Sequence, residues 1–219
     1  MENDRSLNLV KDASKTRTET EYYESDRSPV NEPYDGDDLK VFEDPKKWHS
    51  WQKEIFEKIW NLNGSLKKPN PGHIISVIDA IGNSRKLSFF KWLFVNKGNS
   101  IGRIGYGTAS QLRSSVINIG KKEVYIIDLA RAKSKNDREE DLLSVLKDLK
   151  SGFLTSGMYE SGKMLIIPPP HIIISWNYFM NYDLLSADRC EAYTITKKKQ
   201  LSAVKIKLKR KKLQETTKN

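Results

Sequence analysis

At 219 residues, with 37% hydrophobic and 10% aromatic side chains, the chain has room for one domain with a substantial core and at most a second small one. One cysteine, Cys190, excludes an intramolecular disulfide framework and suits a reducing compartment, cytosol or nucleus. No run resembles a signal peptide or approaches the ~20 apolar residues that cross a bilayer.

The net charge of +10 is unevenly spread. Residues 1–40 hold eleven acidic and six basic side chains, and "TRTETEYYESDRSPVNEPYDGDD" has too little apolar surface to offset the entropy of ordering. A disordered acidic arm is expected there, with Tyr22 and Tyr23 as ordinary residues of a polar segment. The helical spacing of Trp48, Trp51, Ile55, Ile59 and Leu62 in "PKKWHSWQKEIFEKIWNL" predicts a helix with one apolar stripe. "HIISVIDA" follows as a short β-branched strand, "KLSFFKWLFVNK" as a second helix and "TASQLRSSVINI" as a third. The apolar run "EVYIIDLA" closes on Asp128, and "REEDLLSVLKDLK" is a helix ending at Gly152. Turn signals at Ser156-Gly157 and Ser161-Gly162 make "GFLTSGMYESGKMLII" a hairpin, and "HIIISWN" is another buried strand, ending on Trp176 and Asn177. Residues 197–219 hold ten basic side chains against Glu215 and are expected to form a basic tail for nucleic acid or nuclear import. The domain is thus expected to span 41–196. Apolar strands separated by helices predict an α/β fold with a central parallel sheet, which ranks a small basic capsid or nucleoprotein, with its jelly-roll strand pattern, well below the other readings.

Ligands of such sheets sit beyond the carboxyl ends of the strands, where Asp79, Asp128 and Asn177 fall. Lys86 opens the helix after the first strand, so a lysine, a carboxylate and a polar sensor occur in the order a nucleoside triphosphate site needs.

From Trp48 to Thr196 the sequence resembles the helicase domain of replication-associated (Rep) proteins of circular single-stranded DNA viruses, superfamily 3 helicases within the AAA+ P-loop ATPases. "WHSWQKEIFEKIW" is similar to that domain's opening helix and "DAIGNSRKLSFFKWL" to its phosphate loop. "VYIIDLARAK" is similar to its Walker B strand, "LKSGFLTSGMYES" to its pore-loop segment, and "PHIIISWNYFMNYDLLSADRCEAYTI" to motif C and the stretch beyond. The resemblance implies ATP and Mg2+ as cofactors. Gly82, Asn83 and Ser84 would line the phosphates, Lys86 would reach the terminal ones, Asp128 would hold the metal, Asn177 would position water, and Arg189 would act as an arginine finger toward a neighbouring subunit. Ser156, Tyr159 and Lys163, in the pore loop of a hexameric ring, would contact single-stranded nucleic acid, joined by Lys197, Lys198 and Lys199 of the tail.

The departures are as specific. Arg85 stands where the loop has glycine, and Leu87 where it has the magnesium-binding hydroxyl; Ser88, the nearest hydroxyl left for the nucleotide, is turned by about 100° on the helix. Met158 replaces the pore-loop lysine and Cys190 the tryptophan after Arg189. The three histidines, His49, His73 and His171, form no His-hydrophobe-His motif, so the nicking endonuclease of complete Rep proteins is not expected. The expectation is therefore an ATP-driven translocase on nucleic acid, in a small single-stranded DNA genome's replication, in the host nucleus or cytoplasm, without membrane association and with weakened hydrolysis. The alternative is a non-catalytic, nucleic-acid-binding pseudo-ATPase that assembles with an intact Rep protein.

Overall fold

A computed structural model describes residues 37–70, 73–129, 136–156, 162–178 and 189–206, all within a unit that runs from Tyr34 to Asn219. The apolar runs become parallel strands. β1 (Ile74–Ile78), β3 (Val124–Asp128) and β6 (His171–Trp176) are buried on both faces, which is why they read as unbroken apolar stretches and not as alternating ones. β2 (Ile101–Ile104) and β7 (Cys190–Ile195) join them, and β8 (Leu201–Ala203) closes one edge antiparallel to β7, giving the order β2-β3-β6-β1-β7-β8. Ile75 and Ile126 both face Ile173 in register, so the centre of the sheet is a stack of isoleucines.

Helices cover both faces. α2 (Ser50–Ile59) and α3 (Lys86–Lys97) pack Trp51, Ile55, Phe89 and Leu93 against one side, while α4 (Ala109–Ile119) and α5 (Asn136–Ser151) pack Val116, Leu146 and Leu149 against the other. The topology explains the division. The connection from β1 through α3 steps outward to the edge strand β2, and the connections through α4 and α5 step back toward β1. With right-handed crossovers, opposite directions put the helices on opposite faces. The loops after β1 and β3 leave to different sides, and the crevice between them opens at the strands' carboxyl ends.

Several expectations change. The folded region starts before residue 41, because α1 (Asp37–Lys40) carries Leu39 into the core beside Phe42; residues 1–36 of the expected arm lie outside the described residues. The first helix ends at Ile59, and Leu62, 95% exposed, falls in the Asn61–Gly64 turn and not on the apolar stripe. The tail does not begin at residue 197: residues 197–200 are the turn between β7 and β8, and Leu201 packs against the core. A three-residue strand with lysines before and after it has no apolar run to reveal it. The expected hairpin is present as β4 (Phe153–Thr155) paired antiparallel with β5 (Met164–Ile166). Gly152 makes its tight entry, since a Cβ there would meet the Ile167 carbonyl oxygen at 2.0 Å. Among the described residues no helix is long and apolar enough to cross a membrane.

Candidate phosphate-binding site

The loop from Asp79 to Lys86 is shaped by its first residue. Buried at the end of β1, Asp79 accepts hydrogen bonds from the Gly82 N–H at 2.9 Å and from the Ser84 hydroxyl, while its own N–H donates to the Trp176 carbonyl at 2.8 Å. This closes an Asx-type turn of the kind that aspartate makes with a backbone N–H shortly after it. Gly82, Asn83 and Arg85 have φ of 78°, 55° and 58°, so the backbone winds through left-handed positions before entering α3. Arg85 therefore keeps the conformation that suits glycine, at a cost of about 1–2 kcal/mol for an L-residue. The side chain of Arg85, at the N-cap of the twelve-residue helix α3, makes no capping hydrogen bond, and the N–H groups of a first helical turn have no intrahelical acceptors.

Two outside contacts hold the loop in place. The Trp51 indole N–H donates to the Ser84 carbonyl at 3.2 Å, with its ring edge-on to Phe89 at 5.4 Å. From the β7–β8 turn, Lys199 donates to the Gly82 carbonyl at 3.2 Å, and its own carbonyl accepts the Trp51 N–H at the start of α2. The site thus gathers cations: Arg85, Lys86 and Lys199 surround one short loop. The neighbouring His49 is held below its ordinary pKa by partial burial and then by the charges of Arg85 and Lys199.

Lys86 is 7% exposed and reaches across the strand ends. Its Nζ donates to Asn177 Oδ1 at 2.9 Å and to the Trp176 carbonyl at 3.3 Å, and lies 3.9 Å from Asp128 Oδ1. Burial lowers its pKa, and the carboxylates of Asp128 and Asp79 offset part of that. Asp79, Lys86, Asp128 and Asn177, expected at this end of the sheet, are brought together. Gly82, Asn83, Ser84 and Ser88 belong to the same loop and first turn of α3.

Other expected residues lie elsewhere. Arg189 precedes β7 and stands at the opposite end of the sheet from Lys86, about 16 Å away by the length of a five-residue strand, so it is no part of this chain's own site. Ser156 and Lys163 face each other at the end of the β4–β5 hairpin, where the Ser156 N–H donates to the Lys163 carbonyl at 2.9 Å; Tyr159 lies outside the described residues. Lys197 and Lys198 are exposed on the β7–β8 turn, at the same end of the sheet as Lys86. Lys199, expected to hold nucleic acid, is a support of the loop. No local pattern could have shown this, because the contact spans 117 residues. Asp79 had a signal: an aspartate three residues before a glycine.

The residues suit a phosphate group and do not complete a magnesium shell. A phosphate group at the loop would face the N–H groups of the first turn of α3 and the ammonium of Lys86. For a metal, Asp79 is already engaged by the loop, and Leu87, 48% exposed, supplies no oxygen. Leu87 instead lines a cleft of about 80 Å³ with Phe90, Phe94, Ile126 and Asp128. Among the described residues no three His, Cys, Asp or Glu side chains are grouped to hold a metal. No family model and no curated protein matches this chain.

Proposed function

We propose that this chain is a nucleoside-triphosphate-binding module of the P-loop type, related to the helicase domain of Rep proteins and acting on single-stranded nucleic acid in replication of a small viral genome. The observation that carries this is the meeting of Lys86, Asn177 and Asp128 at the carboxyl ends of three neighbouring strands, beside the first turn of α3. Bound nucleotide with its magnesium ion would supply the transferable γ-phosphoryl group and its charge neutralisation. The chain's own part is positional: loop N–H groups and Lys86 bind the anion, Asn177 fixes the Lys86 nitrogen, and Asp128 supplies the counter-charge. A ring of subunits, co-assembly with an intact Rep protein, and residence in the host nucleus or cytoplasm belong to this proposal on the resemblance alone.

Equilibrium titration with a fluorescent ATP analogue tests it, with Lys86→Ala expected to weaken binding at least tenfold through loss of a charge-assisted contact. Wild-type protein that binds no nucleotide, or Lys86→Ala that binds as well as wild type, overturns it. The second reading, a pseudo-ATPase that binds without turnover, is favoured by one feature: beside Asp128, Leu87 puts an apolar side chain into a cleft that Lys91 and Arg103 also line.

A further inference from the structure

A second basic cavity, of about 180 Å³, opens at the amino ends of β1, β6 and β7, at the far end of the sheet from the loop. Lys58, Lys67, Lys68, Lys150, His73 and His171 line it. They come from α2, the segment before β1, the last turn of α5 and the first residue of β6, so the fold and not a run of sequence assembles them. One carboxylate, Glu191, belongs to the lining, and it is already shared: it accepts from Lys58 at 2.9 Å and from the Tyr193 hydroxyl at 2.8 Å, with His73 Nδ1 at 3.3 Å.

The remaining donors outnumber their acceptors. Lys150, 7% exposed, uses one N–H toward the Pro170 carbonyl at 2.8 Å, and among the described residues no carboxylate pairs with it. An ammonium carries three N–H donors, and a buried cation without a counter-ion is costly. Lys68 is exposed and has no acceptor among the described residues. His171 lies 2.9 Å through Nε2 from the Lys67 carbonyl, so that nitrogen carries its hydrogen and donates.

We infer that this cavity is a phosphate-binding site distinct from the loop at Lys86, taking one phosphate group either as the free anion or from a nucleic-acid backbone. Lysines converging from several elements act as point charges around a tetrahedral anion, and among the described residues that line the cavity there is no arginine fork to select a planar carboxylate. The volume is far above the roughly 10–15 Å³ one water requires and below the ~300 Å³ of sites that enclose a whole small-molecule ligand, so a phosphate with a few waters is the matching size. The inference does not depend on the nucleotide proposal.

The test is thermal unfolding and calorimetric titration of the full chain with sodium phosphate, against sodium chloride at matched ionic strength. Phosphate is expected to raise the melting temperature and to bind roughly tenfold more weakly to Lys68→Ala, which alters an exposed side chain. Lys150→Met is expected to lose the response, and Lys86→Ala to retain the part of it that Lys68→Ala weakens. A single-stranded oligonucleotide that competes with phosphate in wild type but not in Lys68→Ala identifies the backbone as the source; a phosphate response without competition identifies the free anion. The inference is overturned if phosphate acts no differently from chloride, if Lys68→Ala and Lys150→Met respond like wild type, or if Lys86→Ala alone abolishes the response.

Discussion

Lys86 and Lys150 are equally buried, 7% exposed each, at opposite ends of one sheet, and they are provided for differently. Lys86 has Asn177 Oδ1 at 2.9 Å and Asp128 at 3.9 Å, whereas Lys150 has a single carbonyl. Burial pushes both ammonium groups down; Asp128 and Asp79 hold Lys86 partly up, and nothing does so for Lys150, which falls to about 8. The same residue at the same depth therefore has its counter-charge built into the fold at one end and open to a ligand at the other.

The largest expected effect comes from completing the Lys86 end. Arg85→Gly together with Leu87→Ser puts a glycine in a left-handed position and a hydroxyl in the first turn of α3. Steady-state ATPase turnover is expected to rise on the order of 10²-fold, the effect of one electrostatic contact in such sites, and Lys86→Ala in that background should remove the gain. Wild-type turnover already at about 1–100 per second would refute this account of the loop.

A second change makes the Lys86 end resemble the other. Asp128→Asn takes away the carboxylate nearest Lys86. The pair is 3.9 Å apart and Asp128 is partly exposed, so the loss should be smaller than for a tightly bonded buried pair, about 2 kcal/mol in urea unfolding with an unchanged m-value. A loss below about 0.5 kcal/mol would mean that Asn177 and the Trp176 carbonyl suffice for Lys86.

The smallest effect sharpens the comparison through pH. With its folded pKa near 8 and its unfolded value near 10.5, Lys150 is deprotonated in the native state before it is in the unfolded chain. Between those values the unfolded state binds more protons, so stability rises with pH; the penalty is complete below about pH 8. From pH 7 to 9 the gain is about 1 kcal/mol, and Lys150→Met should abolish that slope. Above pH 9 the Cys190 thiol, pushed up to about 12 by burial and then by Glu191, acts in the opposite direction, since it stays protonated in the native state while the unfolded chain loses its proton. Parallel profiles for wild type and Lys150→Met from pH 7 to 9 would show that Lys150 is not the group responsible.

Much of this architecture was legible. β1, β3 and β6 show as uninterrupted apolar runs because both their faces are covered, and the residues that end them meet at Lys86. β2 did not show: it is four residues long, follows a Gly-Asn-Ser turn and exposes Arg103. β7 was hidden by Glu191, a charged residue whose partners Lys58 and His73 lie on other segments, and β8 by the lysines around it. The loop's supports were half legible. Asp79 sits at a readable spacing from Gly82, but the grip of Lys199 joins residues far apart in sequence and exists only once β7 and β8 have paired. The basic cavity left no trace in any single stretch, because its cations arrive one or two at a time from four places.

β1 has a history in time as well as a place in the sheet. It is an interior strand, the fourth of five parallel ones, and its neighbours are β6 and β7: Ile75 pairs with Ile173 and Ile74 with Cys190. At about 5–20 residues per second, a ribosome takes roughly 5–20 s to go from the first of these isoleucines to its partner on β6. During that interval "IISVI", apolar throughout, has made neither of its ladders. Such a segment is prone to pair with copies of itself. Newly made chain should therefore be most vulnerable to aggregation while synthesis passes through α4 and α5, and should lose that vulnerability once β6 emerges.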